Sequence, residues 1–316
     1  MVAVSIVVPL YNEEDNVARL HRAVVDALAD YNIDYELLLV DDGSKDATFE
    51  RASALVGIDR RVRVVKFRRN YGQTAAMAAG IEVARGDVIV TMDGDLQNDP
   101  EDIPRLLKLI EDGYDIAIGW RRKRKDGGAR VFVSKVANKI IARIMQVEVK
   151  DSGCSLKAYK APLIQGIPMY GEMHRFIPAL SQLAGARLVQ IEVNHRAREF
   201  GVSKYGFSRI YKVMVDIISI RALLKYARNP LTWHARVTGF ALAFGTAALV
   251  YALLHLDQKP IIAGGIAVSF FSLAFFLAAW GMVGQLFAII EPEVGRYATL
   301  SAMLSTRIER PGDSVS

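Results

Sequence analysis

Residues 237–256 and 261–290 contain no Asp, Glu, Lys or Arg. A helix needs about 20 apolar residues to cross a hydrocarbon core of ~30 Å, so each run is long enough to span one. Two buried core helices would share this composition, but such helices have apolar runs of only about 10–14 residues. The runs therefore predict a transmembrane pair. The chain is 316 residues long and 52% hydrophobic, high for a soluble protein, and the excess lies in these two runs. Only Asp257-Gln258-Lys259-Pro260 separates them, which predicts a hairpin with both ends on one face. Arg221, Lys225, Arg228 and Arg236 precede it and Arg296, Arg307 and Arg310 follow, against Lys259 alone in the loop. The positive-inside rule then places the bulk of the protein in the cytoplasm. No signal peptide is read before Val4, because the opening apolar stretch is short and runs into Tyr11-Asn12-Glu13-Glu14.

The formal net charge of +6 raises nucleic acid as a partner. Its basic residues, however, gather at 121–125 and beside the apolar runs, which points to phosphate or anionic lipid instead. Cys154 is the only cysteine; this excludes an internal disulfide and a multi-cysteine metal site, and it reads as a buried, inert thiol.

Upstream, β-branched and apolar runs at residues 5–9, 35–40, 62–66 and 88–92 alternate with helical periodicity over about 14–30, 48–56 and 74–83. The alternation predicts an α/β fold, a mostly parallel sheet with helices on both faces. Ligands of such sheets bind beyond the carboxyl ends of the strands. Pro9, Tyr11 and Glu13 follow the first run, Asp41 and Asp42 the second, and Asp93 and Asp95 the fourth, so these residues should converge on one cleft. No GxGxxG turn follows the first run, which counts against an ordinary nicotinamide-binding fold. Residues 205–228 alternate apolar and charged positions at helical spacing, as in a helix lying in a membrane interface; a helix packed on the soluble domain would show the same pattern.

The Asp93-Gly94-Asp95 segment sets two carboxylates one residue apart, with a glycine between them that is expected to let the backbone turn sharply. Mg²⁺ or Mn²⁺ held by one or two carboxylates, with water and phosphate oxygens completing the shell, is the usual arrangement for a nucleotide diphosphate. Acidic turns are common, and the pair acquires meaning from its neighbours.

Taken in order, VSIVVPLYNEE, LLVDDGSKD, TMDGDLQNDPEDIP and REFGVSKYG resemble the inverting family 2 glycosyltransferases, in the branch of dolichol-phosphate mannose synthases and bacterial polyprenyl-phosphate glycosyltransferases. The resemblance runs over roughly residues 4–230 and implies a GT-A fold with a Rossmann-like nucleotide half. It further implies that Pro9, Tyr11 and Glu13 line the nucleotide pocket, and that Asp41 or Asp42 lies near base and ribose. Asp93, Gly94, Asp95 and Gln97 would surround the donor diphosphate and its metal, Asp93 through ribose or water. Arg198 and Lys204 would touch the diphosphate. Arg121, Arg130 and Ser134 would grip an acceptor phosphate, although Trp120 departs from the small residue often found before that arginine. Asp151 would lie near the reaction centre as an orienting group or weak base. A capping role in its turn is the alternative. The segment 171–176, with His174 and Arg175, would shape the sugar pocket, and no role attaches to Asn70-Tyr71-Gly72-Gln73. His174 and His195 lack partners at metal-ligand spacing.

The domains implied are a catalytic domain over 1–204, juxtamembrane helices over 205–232, a transmembrane pair over 233–292 and a cytoplasmic tail over 293–316, in a multi-pass protein of the cell (inner) membrane. The implied reaction is inverting transfer from a nucleotide-sugar, a UDP-hexose with glucose as default, to polyprenyl phosphate. Transfer of mannose from GDP-mannose to dolichol phosphate, transfer of an aminopentose, and a catalytically silent nucleotide-sugar-binding protein are the alternatives. A homo-oligomer is left open.

Overall fold

The computed structural model describes residues 3–122, 150–196 without 152, 166, 168, 170, 172 and 184, then 230–255 and 260–290. The expected interfacial helix over 205–228, the loop 257–259 and the candidates Arg130, Ser134, Arg198 and Lys204 lie outside these residues. The chain divides into two units, Met1–Ile217 and Ile218–Ser316.

In chain order the first unit contains β1 (Val4–Leu10), α1 (Val17–Leu28), β2 (Tyr35–Asp41), α2 (Thr48–Val56), β3 (Val62–Lys66), α3 (Gln73–Val83), β4 (Val88–Thr91), α4 (Ile103–Glu111), β5 (Ile116–Trp120), β6 (Lys157–Lys160), α5 (Ala161–Ile164), α6 (Ile177–Leu183) and β7 (Leu188–Glu192). The sheet order is β3-β2-β1-β4-β6-β5-β7. The first four strands run parallel, β6 is antiparallel to both β4 and β5, and β7 is parallel to β5. The strand order reverses between β1 and β4, and a crevice opens beyond their carboxyl ends at such a switch point.

Both faces of β1 and β2 are covered, which is why these strands read as continuous apolar runs. Ile6, Val8, Leu37 and Leu39 meet the apolar faces of α1 and α4 in one core. Full burial of each such side chain contributes about 1.5–3 kcal/mol. Helix α4 shows why these elements form where they do. Asp99 accepts a hydrogen bond from the Glu101 amide at the start of the 3-10 turn Pro100–Asp102 that leads into the helix, and Ile103, Leu106, Leu107 and Ile110 make one buried stripe. Glu36, also buried, sits at the opposite end of the sheet from the crevice, where it accepts from Ser5 Oγ at 2.6 Å and Arg63 Nη1 at 2.7 Å.

The second unit is a helical pair, α7 (Pro230–Leu254) and α8 (Pro260–Ile290). Both are long and apolar enough to cross a membrane. Phe244 stacks on Phe270 at 5.6 Å, and a Cβ on Gly245 would stand 3.0 Å from the Phe271 ring, so the helices meet where one residue lacks a side chain. Phe240, Ile261 and Phe275 are 69%, 86% and 77% exposed; in water such a surface would drive association, whereas a bilayer accommodates it.

Candidate active site

The amino-terminal wall of the crevice is built by hydrogen bonds from backbone amides and carboxamides to hydroxyls and carboxylates. The chain leaving β1 turns at Asn12, whose φ is +50°. Its amide donates to Ser44 Oγ at 2.9 Å, and the Glu13 amide donates to Thr48 Oγ1 at 2.8 Å. The Glu13 carboxylate accepts from Asn16 Nδ2 at 2.6 Å, so Tyr11 and Glu13 stand on a turn pinned to the segment after β2.

Asp41 and Asp42, equivalent in the sequence, differ in the fold. Asp42 accepts from the Tyr71 amide at 2.7 Å, the Gly72 amide at 2.9 Å and Asn70 Nδ2 at 2.8 Å. It organises the 70–72 loop. Burial pushes its carboxyl above the ordinary range, and the two amides only partly oppose this. Asp41 is fully buried; Oδ1 accepts from the Ser44 amide at 3.1 Å, while Oδ2 has no hydrogen-bond partner among the described residues. A buried carboxylate oxygen left in this state is a ready acceptor for a ligand N–H or O–H.

The opposite wall is charged. Beyond β4, Asp93 accepts from Gln73 Nε2 at 2.6 Å, and its own amide donates to Asn98 Oδ1 at 3.0 Å. Burial first, and the neighbouring Asp95 charge second, raise the Asp93 carboxyl above its usual range. Asp95 is buried, and Oδ1 accepts from the Gln97 amide at 3.1 Å. Gly94 lies in the turn, whose left-handed residue is Leu96, at φ +61°. Position 94 needs glycine because a Cβ there would come within 2.4 Å of Leu10 Cδ2 at the end of β1. Two adjacent carboxylates repelling each other in a buried turn suit a divalent cation that also takes phosphate and water oxygens. Among the described residues no group of three or more His, Cys, Asp or Glu could hold a metal, so Asp93 and Asp95 would have to share the shell with ligand oxygens.

Arg121 and Asp151 were separate candidates 30 residues apart, and the fold makes them one unit. Arg121 Nε and Nη2 donate to Asp151 Oδ2 and Oδ1 at 2.8 and 3.0 Å. Their side chains are 11% and 3% exposed. Burial opposes the guanidinium charge, and the hydrogen bonds and charge of Asp151 more than offset it, so Arg121 stays cationic. Trp120 lies under Lys150 Nζ at 4.5 Å, which gives the large ring before Arg121 a partner.

The sequence did not single out Lys157. It lies in β6 opposite Thr91, is buried, and donates to the His174 carbonyl at 3.3 Å. Burial lowers its pKa to about 8. Nothing in Lys157-Ala158-Tyr159-Lys160 distinguishes an inward lysine from an outward one. Gln73, Asn98 and Ser155 were also unassigned; Ser155 Oγ donates to Asn98 Oδ1 at 2.7 Å behind Asp93. Arg196 ties the chain after β7 to the acidic turn, pairing with Asp99 at 2.8 Å while its amide donates to the Gln97 carbonyl at 2.9 Å. Cys154 is buried, and burial raises its thiol to about 11, in keeping with an inert role.

A parallel nucleotide half joined to a mixed half, with paired carboxylates at the switch point, defines a GT-A fold. Solved glucosyl-3-phosphoglycerate synthase from Mycobacterium tuberculosis shares it. Its complex with phosphoglyceric acid aligns with a TM-score of 0.54 at 23% identity, over 69% of this chain and 79% of that one. Its complex with Mn²⁺, UDP-glucose and glycerol 3-phosphate gives 0.53 at 21%, over the same shares. The chain belongs to Glycosyl transferase family 2, whose model matches residues 5–165. It is 47% identical to a dodecaprenyl-phosphate galacturonate synthase of Rhizobium johnstonii over 268 residues, 82% of this chain and 77% of that protein. It is 40% identical to an undecaprenyl-phosphate 4-deoxy-4-formamido-L-arabinose transferase of Pseudomonas fluorescens over 243 residues, 76% of this chain and 69% of that protein.

Proposed function

We propose that this glycosyltransferase moves a sugar from a UDP-sugar to polyprenyl phosphate with inversion, in one metal-dependent displacement at a membrane surface. The observation that carries this is the meeting of the Asp93–Asp95 turn and the buried Arg121–Asp151 pair in a family 2 domain followed by two apolar helices long enough to span a bilayer. The named activities of the two relatives support a polyprenyl-phosphate acceptor.

In this scheme Asp41 Oδ2 accepts from the nucleotide, and Pro9, Tyr11 and Glu13 line its pocket. Asp93, Asp95 and Gln97 would hold Mg²⁺ or Mn²⁺, which would supply charge neutralisation at the diphosphate. Arg198 and Lys204 add positive charge at the same place. An acceptor phosphate oxygen forms the new bond to the anomeric carbon as the bond to UDP breaks and its electron pair leaves with UDP. That oxygen is already anionic near neutral pH, so no strong base is required and positioning dominates. Asp151, held by Arg121, serves as the orienting group, and Arg130 and Ser134 complete the phosphate grip. The basic flanks of the hairpin support a cytoplasmic catalytic domain at the inner membrane.

The donor read from the sequence is a UDP-hexose; the galacturonate in the name of the more similar relative supports a hexuronosyl donor instead, and the other relative supports an aminopentose. Purified full-length chain, Mg²⁺ or Mn²⁺ and undecaprenyl phosphate should release UDP from one member of a panel of UDP-sugars, and only with lipid present. Lipid-independent release, or full activity in Asp95→Ala, would refute the proposal.

A further inference from the structure

The motif to which the sequence attached no role, Asn70-Tyr71-Gly72-Gln73, touches both walls of the crevice. Its first three residues fill the Asp42 carboxylate: the Tyr71 amide donates to Oδ1 at 2.7 Å, and the Gly72 amide and Asn70 Nδ2 donate to Oδ2 at 2.9 and 2.8 Å. Gln73 then opens α3, and its Nε2 reaches across to donate to Asp93 Oδ1 at 2.6 Å. One residue further, Thr74 Oγ1 donates to the Gly171 carbonyl at 2.6 Å and lies 2.6 Å from His174 Nδ1. Consecutive positions at the start of one helix thus serve the acid after β2, the acid after β4 and the turn that holds His174.

The backbone leaves this start little freedom. Gly72 sits at φ +97°, and a Cβ on it would meet no heavy atom within 4 Å, so glycine is required there by the backbone angle and not by space. Gly80, two turns along α3, is required by space, because a Cβ on it would collide with Val7 Cγ1 in β1. A helix seated on β1 and tied at its start to Asp42 holds its first side chain in a fixed place. Asp93 takes its orientation from that side chain. A cation that draws only one or two carboxylates from the protein needs them already oriented, and hydrogen-bond partners behind such ligands supply that orientation.

We propose that Gln73 is the positioning residue of Asp93, and that the first turn of α3 couples the seating of a nucleoside diphosphate beside Asp42 to the seating of a divalent cation at Asp93. The two ligands rest on the sugar-transfer reading above; the link between their sites rests on the hydrogen bonds of residues 70–73.

Equilibrium binding of UDP and GDP to the full chain in detergent, with and without Mn²⁺, tests it without turnover. The quantity read is the gain in nucleotide affinity that Mn²⁺ brings. Gln73→Met keeps the side-chain length and removes the donor, so it should lower that gain by roughly 10-fold and leave metal-free affinity unchanged. Gln73→Asn keeps the carboxamide but withdraws it by one methylene, and should lower the gain as well. An undiminished gain in both variants overturns the proposal, as does a parallel loss of metal-free affinity and melting temperature, the mark of a merely structural role. Gly72→Ala strains the turn without filling occupied space, so it should weaken metal-free binding and the gain together. In the double variant Gly72→Ala, Gln73→Met the gain should fall no further than in Gln73→Met alone; losses that multiply would show two uncoupled sites. If the gain appears with GDP and not UDP, the donor reading fails and the same comparison with GDP decides this inference. No gain with either nucleotide in the wild-type chain overturns both. A gain with UDP but no transfer to any polyprenyl phosphate refutes the proposed function and leaves this inference intact.

Discussion

The two walls of the crevice are acidic in sequence but differ in how the acid is held. At the ends of β1 and β2, Asp42 is satisfied by backbone amides and one carboxamide, and the surrounding turn is closed by Ser44 and Thr48 hydroxyls. Beyond β4, β5 and β6, carboxylates face guanidinium and ammonium groups or one another. Carboxylates bonded to fixed amides hold a shape that changes little with ligand charge. A cluster of opposed charges is suited to a site where a diphosphate and a phosphate come and go, because its electrostatic balance is completed by the ligands. Shape is assigned to one wall and charge to the other.

Removing Asp95 from the charged wall is expected to have the largest effect. Asp95→Ala should lower kcat by at least ~10²–10³-fold, with the folded state retained in thermal melts. Separating charge from stability sharpens the contrast. Asp151→Ala should cost about 3–5 kcal/mol by leaving Arg121 buried and unpaired, whereas the double variant Arg121→Met, Asp151→Leu should recover most of that stability and none of the activity. Chemical denaturation with a parallel UDP-release assay measures both.

On the wall closed by amides Asp42→Ala should cost less, about 1–3 kcal/mol, by freeing the Tyr71 and Gly72 amides. Its kinetic signature should be a higher KM for the nucleotide-sugar with a smaller change in kcat. A fall in kcat as large as that of Asp95→Ala would erase the distinction between the walls. A pH-dependent effect concerns Lys157, whose pKa burial depresses from 10.5 to about 8. Below about pH 8 the residue is charged in both folded and unfolded chains and its burial penalty is complete. Between about 8 and 10.5 the folded chain holds it neutral while the unfolded chain still binds the proton, so stability rises with pH. Relative to Lys157→Met, the wild-type chain should therefore gain stability across that window; a constant difference would show that Lys157 is not buried as described.

Much of this was readable from local pattern. The strand at Tyr35–Asp41 and the helix at Thr48–Val56 follow from apolar period and punctuation, and the acids after β1, β2 and β4 converge because parallel strands present their carboxyl ends on one side. Helix α7 begins at Pro230, seven residues before the charge-free run, because Arg236 is accommodated near the helix end, where a long cationic side chain can reach polar surroundings. Gly94 was read as letting the backbone turn; that it also leaves room for Leu10 is a fact set by β1 and invisible in Asp93-Gly94-Asp95.

By itself the sequence determined the family, the alternating order of the sheet, the acidic turn and the apolar hairpin, because each depends on residues close together in the chain. Only the tertiary structure decided that Asp42 supports a loop while one oxygen of Asp41 has no partner among the described residues, that Arg121 and Asp151 share a bidentate bond, and that Lys157 turns inward beneath His174. Those outcomes depend on which distant side chains meet and how much water they lose in meeting. Burial and pairing are properties of the packed chain, and no local spacing encodes them.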